Sequence, residues 1–88
     1  MADLKASFEQ AQKDVKQLTQ RPSNNELLAL YSLFKQATDG DVSGKRPGMF
    51  DFKGAAKFEA WEKLQGMNAD DAMQKYVDIV EKLAKTYA

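Results

Sequence analysis

The 88-residue sequence predicts an all-α fold of four helices, and three observations carry that reading. Apolar residues recur at helical spacing in four separate segments. No stretch alternates apolar and polar residues for long enough to form a strand. One glycine-rich connection of unusual length separates the second segment from the third.

The first helix starts at Asp3, an N-cap residue type, and carries Leu4, Phe8, Ala11, Val15 and Leu18 at spacings of four, three, four and three. Pro22 keeps the second helix from starting earlier, and Ser23 with Glu26 three residues on has the form of a capping box. That helix runs to about Thr38. The third is written in GAAKFEAWEKLQG, bounded by Gly54 and Gly66, with Phe58, Trp61 and Leu64 as apolar anchors. The fourth opens on Asn68 as N-cap with Asp71 at the third position, and continues through Met73, Tyr76, Val77, Val80, Leu83 and Tyr87.

The connection DGDVSGKRPGMFDF, residues 39–52, holds three glycines and a proline and cannot be regular helix. Short links join antiparallel neighbours, whereas a link of this length crosses the bundle and joins helices running the same way. Helices two and three are therefore expected to be parallel. Val42, Met49, Phe50 and Phe52 are expected to pack the crossing down on the core.

Residues 1–88 are read as one domain with a modest core. Thirteen Lys plus Arg balance thirteen Asp plus Glu, which argues against a general nucleic-acid binder and against a polybasic membrane binder, so any anion site must be local. Cysteine and histidine are both absent, which removes disulfides, thiolate metal sites and the usual general base. The start MADLKASFEQ lacks the apolar core of a secretory signal, and the longest apolar run, LLALY, cannot span a bilayer. The expectation is a cytoplasmic, monomeric protein without cofactor and without stable membrane insertion.

Two partial motifs fail on inspection. Asp39, Asp41, Ser43 and Gly44 match an EF-hand loop, but its twelfth position is Phe50 where a bidentate Glu is needed. Gly40, Gly44 and Lys45 imitate a phosphate-binding loop with glycine spacing one short, Arg46 in place of Ser or Thr, and no preceding strand. Both are turn chemistry. The carboxylates are spread over helix faces as solvating charge, Ser32 lies on a helix away from any loop, and the chain is not expected to be an enzyme.

ELLALYSLFKQAT, residues 26–38, is the informative stretch. On a helical wheel Leu27, Leu28, Leu30, Tyr31, Leu33 and Phe34 span an arc of about 220°, roughly twice the ~100° stripe that packing on one neighbour uses. Lys35 falls inside that arc, between Tyr31 and Leu28. Two readings stand side by side: a lysine whose stem lies on apolar surface with its ammonium in water, or an ammonium that holds an anionic group over an apolar groove. Lys57 repeats the pattern on the third helix, four residues before Trp61 and seven before Leu64. If the two helices run side by side, the two ammonium groups converge beside Tyr31. The matching ligand has a phosphate head and a greasy tail.

PSNNELLALYSLFKQATDGD, residues 22–41, and RPGMFDFKGAAKFEAW, residues 46–61, closely resemble the acyl-CoA-binding protein family, also known as diazepam-binding inhibitor or endozepine. The resemblance covers essentially the whole chain. It implies a four-helix up-down-down-up bundle with a long overhand between helices two and three, and a medium- or long-chain acyl-CoA ligand that the protein carries, pools and shields from hydrolysis. It implies Tyr31, Lys35 and Lys57 around the ribose 3′-phosphate, Phe34 beside the adenine, Lys16, Lys53 and Tyr76 as further contacts, and Leu27, Leu28 and Leu30 along the acyl chain, with Ser32 and Leu33 in the same ligand-binding stretch. Phe34 stands where many members have Tyr, Ala55 where Lys is frequent, Phe58 where Trp is frequent, and Gln12 where Ala is frequent. The endozepine members also supply a second reading, a protein-interaction or signalling peptide module.

Overall fold

The computed structural model describes residues 3–87. Its helices are α1 (Leu4–Val15), α2 (Asn24–Thr38), α3 (Phe52–Glu62) and α4 (Ala69–Tyr87), and the described residues contain no strand.

Each start is fixed by a side chain that accepts an otherwise unsatisfied backbone N–H. Asp3 accepts from the Lys5 amide at 3.1 Å, and Asn68 Oδ1 accepts from the Asp71 amide at 2.7 Å. The capping box of α2 is complete: Glu26 N–H donates to Ser23 Oγ at 3.2 Å, and Ser23 N–H donates to Glu26 Oε1 at 2.8 Å. The expected boundary at Gly54 is corrected, because α3 begins two residues earlier with Asp51 as its N-cap. The Asp51 carboxylate folds back to accept from the Gly54 amide at 2.9 Å, and a Cβ on Gly54 would collide with that carboxylate. Gly54 is therefore a residue of the first turn and not a terminator.

Pairing across the helices sets their directions. Residues 27 and 28 of α2 meet 52 and 53 of α3 across one cleft, Tyr31 meets Lys57, and Lys35 meets Trp61, so α3 runs parallel to α2. Phe8 packs on Tyr76, and Thr19, just past α1, donates to the Tyr87 carbonyl, so α1 and α4 are also parallel. Tyr87 at the end of α4 donates to Glu26 at the start of α2, which makes that pair antiparallel. The result is the up-down-down-up order.

The core belongs mainly to three helices. Phe8 and Ala11 from α1, Leu30, Leu33 and Ala37 from α2, and Ala72, Tyr76, Val77, Val80 and Leu83 from α4 form one buried cluster. Helix α3 contributes one buried side chain, Trp61, and lies on the flank of α2. Polar bonds hold it there. The Trp61 indole N–H donates to the Gly40 carbonyl at 2.8 Å, and Asp41 Oδ1 accepts from the Gly66 amide at 2.8 Å and from Gln36 Nε2 at 2.9 Å. Gln36, itself buried, also donates to the Met67 carbonyl at 2.8 Å. Gly40 and Gly66 take φ of 82° and 93°, the left-handed region that lets each helix end turn sharply into this knot.

The crossing, residues 39–51, differs from the apolar packing expected of it. Val42 is half-buried, but Met49, Phe50 and Phe52 are 80%, 85% and 76% exposed. The segment is held instead by Arg46, which pairs with Glu59, reaches Glu62 at 4.0 Å and lies 6.0 Å from the Phe58 ring centroid. The Asp51 amide then donates to the Gly48 carbonyl at 3.0 Å, closing a turn whose two central residues are Met49 and Phe50. Being central in a tight turn, they point away from the bundle.

Two outcomes follow from this packing. Leu83→Ala, at a side chain 2% exposed, is expected to cost about 2–5 kcal/mol in urea unfolding by leaving a cavity among α1, α2 and α4. The Gly66 amide, and then the Gln36 side chain, hold the Asp41 carboxyl below its ordinary value. A carboxyl depressed in the folded state adds stability above its unfolded pKa, and that contribution disappears as pH falls through the folded value. Asp41→Asn should therefore be less stable than the parent at neutral pH. The two melting curves should converge as pH drops below the carboxylate range.

Candidate functional site

The parallel seating of α3 on α2 opens a cleft of about 660 Å³ at the N-terminal ends of both helices. Leu27, Leu28 and Tyr31 line it from α2, Phe52, Lys53, Ala56 and Lys57 from α3, and Arg21 and Asn24 close the rim. On α2 the adjacent Leu27 and Leu28 are followed one turn on by Tyr31, and on α3 the positions repeat as 52, 53, 56 and 57, the spacing of one helical ridge. Three of the nine lining residues are cations and none is a carboxylate. The remaining wall is largely aliphatic and aromatic. Volume and mixture suit an amphiphilic anion.

From the cleft onward the two helices meet in paired rungs. The Lys57 ammonium lies 5.2 Å from the Tyr31 ring centroid, and one turn on, the Lys35 ammonium lies 5.0 Å from that of Trp61. Each helix lends one cation and one ring. Lys35 also pairs with Asp39 four residues along, and that bonded carboxylate holds its ammonium above the ordinary lysine value. Lys35 thus neither hangs free in solvent nor stands ready and unpartnered: it is charged, seated on an aromatic face, and bonded to a carboxylate near the surface.

The structure gathers Leu27, Leu28, Tyr31, Lys53 and Lys57 into the cleft, with Lys35 one turn beyond. Other sequence-derived positions lie elsewhere. Leu30 and Leu33 are buried in the core at 5% exposure, and Leu33 with Ser32 faces a shallower groove shared with Leu64, Met67 and Ile79. Ser32 Oγ is satisfied by its own helix, donating to the Ala29 carbonyl at 2.9 Å. Phe34 is half-buried with its ring 6.0 Å from that of Phe8. Tyr76 sits edge-on to Phe8 at 5.1 Å between centroids, and burial pushes its phenol pKa up. Lys16 caps the end of α1 and is exposed. The cleft residues that the sequence reading did not assign to the site are Arg21, Asn24, Ala56 and Phe52, the last expected there to pack on the core. Reading Asp51 as the N-cap would have brought Phe52 and Ala56 into the same ridge as Lys53 and Lys57.

Among the described residues no cluster of His, Cys, Asp and Glu could hold a metal ion, and no helix is long and apolar enough to cross a membrane. The sequence model described as "Acyl CoA binding protein" matches residues 5–80. The acyl-CoA-binding protein homolog 1 of Caenorhabditis elegans is 52% identical over 81 residues, covering 92% of this chain and 94% of that protein. The homolog of Drosophila melanogaster is 49% identical over the same length and the same coverage of both chains. Among solved structures, acyl-CoA-binding protein 2 of Oryza sativa superposes with a TM-score of 0.90 at 37% identity, over 96% of this chain and 93% of that one. The ACBP of Moniliophthora perniciosa gives 0.88 at 40% identity, over 99% and 84%. Matched by the family model over most of its length, and sharing both sequence and fold with these relatives, the chain belongs to the acyl-CoA-binding protein family.

Proposed function

We propose that this protein binds medium- and long-chain acyl-CoA esters and acts as a monomeric cytoplasmic carrier and pool former that shields the thioester. The observation that carries the reading is the cleft between α2 and α3, cationic at its rim, apolar along its wall and free of lining carboxylates. Relatives named acyl-CoA-binding proteins support the same ligand class.

In this reading Leu27 and Leu28 take the acyl chain, with Phe52 and Ala56 opposite. Lys57, beside Tyr31, and Lys35, one turn on, hold the 3′-phosphate. Lys53 and Arg21 supply further positive charge at the rim, and Phe34 lies beside the base. Lys16 and Tyr76 complete the contacts in the family pattern. Hiding each methylene of the tail stabilises the complex by ~0.8 kcal/mol, on the order of 10 kcal/mol gross for a palmitoyl chain. Ordering a flexible ligand offsets part of that. Charge on the head selects the ligand, and the tail drives it in. No bond is made or broken, so this is a binding protein and not an enzyme.

The direct test is calorimetric titration with palmitoyl-CoA, free palmitate and free CoA. The ester should bind stoichiometrically and far more tightly than either half, because the two half-sites share one ordering cost. Comparable binding of palmitate alone would overturn the reading.

Two substitutions test the head group. Lys35→Met keeps the apolar stem and deletes one charge-assisted hydrogen bond of roughly 1.5–3 kcal/mol. Affinity for palmitoyl-CoA should fall about 10- to 100-fold, while affinity for the 3′-dephospho ester stays almost level. A coupling within about 0.3 kcal/mol of zero in that cycle would remove Lys35 from the phosphate site. Asp39→Asn should act the other way, since it deletes the carboxylate with which a phosphate must compete. The competing pair is partly exposed, so the gain should be only a few-fold, and absent for the dephospho ester.

A further inference from the structure

We infer that the turn Gly48–Asp51, with Phe52 behind it, is a peripheral docking point for the surface of a lipid bilayer carrying anionic headgroups. Met49, Phe50 and Phe52 are the exposed large hydrophobic residues of the described chain, at 80%, 85% and 76%, and they fall within four consecutive positions. Turn tips favour Gly, Asn, Asp and Ser, whose backbones or short polar side chains suit the geometry. This turn instead presents methionine and phenylalanine at its two central positions, closed by the Asp51 amide on the Gly48 carbonyl. Neither side chain packs on the core, neither lines the cleft, and the turn's own hydrogen bond requires neither.

The tip is presented on a fixed stem. On one side Arg46 is tied to Glu59 and Glu62 of α3, and on the other Asp51 caps that helix. Arg46 is thereby neutralised, and the Asp51 carboxylate is turned onto the Gly54 amide. Lys45 and Lys53 flank the tip and make no ion pair among the described residues. A convex apolar tip between two unpaired ammonium groups matches the boundary between acyl chains and anionic headgroups, where aromatic and sulfur side chains enter the apolar layer and lysines stay with the phosphates. The complement is a deformable surface rather than a preformed protein groove. The patch is also continuous with the cleft, because Phe52 and Lys53 belong to both. If the ligand is acyl-CoA, as proposed above, its tail can pass from a bilayer towards Leu27 and Leu28 without crossing open water. That consequence rests on the functional reading. The docking itself does not.

The test uses the full ligand-free chain with vesicles of phosphatidylcholine containing phosphatidylserine, and with vesicles of phosphatidylcholine alone. Cosedimentation should be clear on the mixed vesicles, weaker on the neutral ones, and reduced by salt. The double substitution Met49→Ser with Phe50→Ser should lower the mixed-vesicle affinity roughly tenfold or more, with the circular dichroism melt unchanged. Because the chain has no cysteine, Phe50→Cys takes a single environment-sensitive label, whose emission should shift to the blue on mixed vesicles. The same label at Glu9→Cys, on the exposed face of α1, should not shift. Absence of cosedimentation, full vesicle binding by the double variant, or a shift at position 9 without one at position 50 would each overturn the docking point, the first being the outcome if the tip serves a protein partner. Palmitoyl-CoA affinity of the double variant, measured in vesicle-free solution, should match the parent. Loss of ligand binding by the parent itself would overturn the functional reading and leave the docking result standing.

Discussion

The cleft depends on α3 lying parallel along α2, a constraint that no tight turn can satisfy. Helix α2, fifteen residues and about 22 Å long, delivers the chain to the wrong end for a parallel partner to begin. The thirteen residues between Thr38 and Phe52 can span about 43–47 Å when extended, enough to return with slack. The fastening is concentrated where the crossing begins: Trp61 on Gly40, Gly66 and Gln36 on Asp41, and Gln36 on Met67. These bonds clamp the C-terminal ends of α2 and α3 together. Their N-terminal ends lack such a clamp, and there the cleft opens.

Helix α2 has two flanks with opposite demands. Its Leu30, Leu33 and Ala37 positions enter the dry core with α1 and α4, while Leu27, Leu28 and Tyr31 stay half-buried towards α3. A helix buried on every side would leave no cleft, and one with a narrow stripe would leave α3 without a seat. The two lysines lie against aromatic faces, and Lys35 also pairs with a carboxylate near the surface, so neither ammonium lacks a favourable partner. An exposed ion pair of this kind holds a side chain in position at little net energy. In the proposed reading this weak pair is what a ligand phosphate competes with.

The long crossing combines two kinds of chemistry. Its stem is fixed by charge and backbone bonds, through Arg46, Asp41 and Asp51, and its tip is apolar and open to solvent. Apolar side chains in a loop usually pin that loop to the core. Here the polar clamps do that work, which leaves Met49 and Phe50 free of any role in holding the fold.

Periodicity, capping residues and the length of one connection determined four helices, their order and the parallel pairing of the middle two, because each depends on neighbours within a few residues or on chain reach alone. Ser23 with Glu26 and Asn68 with Asp71 fall where the sequence predicts. The anomalous positions of Lys35 and Lys57 were likewise visible on a helical wheel, and family resemblance extended them to a ligand. Tertiary structure alone decided which apolar residues face a cleft. Leu27, Leu28, Leu30 and Leu33 look alike on a wheel, and only the placement of α3 on one flank and of α1 and α4 on the other sends two of them to the opening and two to the core. It also decided that Gln36 and Asp41, the latter read in sequence only as turn chemistry, would tie a loop to a turn 25 positions away, from Asp41 to Gly66. The start of α3 moved to Phe52 because a folded-back Asp51 outweighed the break expected at Gly54, and Met49 and Phe50 stayed in solvent because a closed turn aims its central side chains outward. Hydrophobicity says that a side chain gains by leaving water; only the assembled surfaces say which neighbour, core, ligand or membrane, is there to receive it.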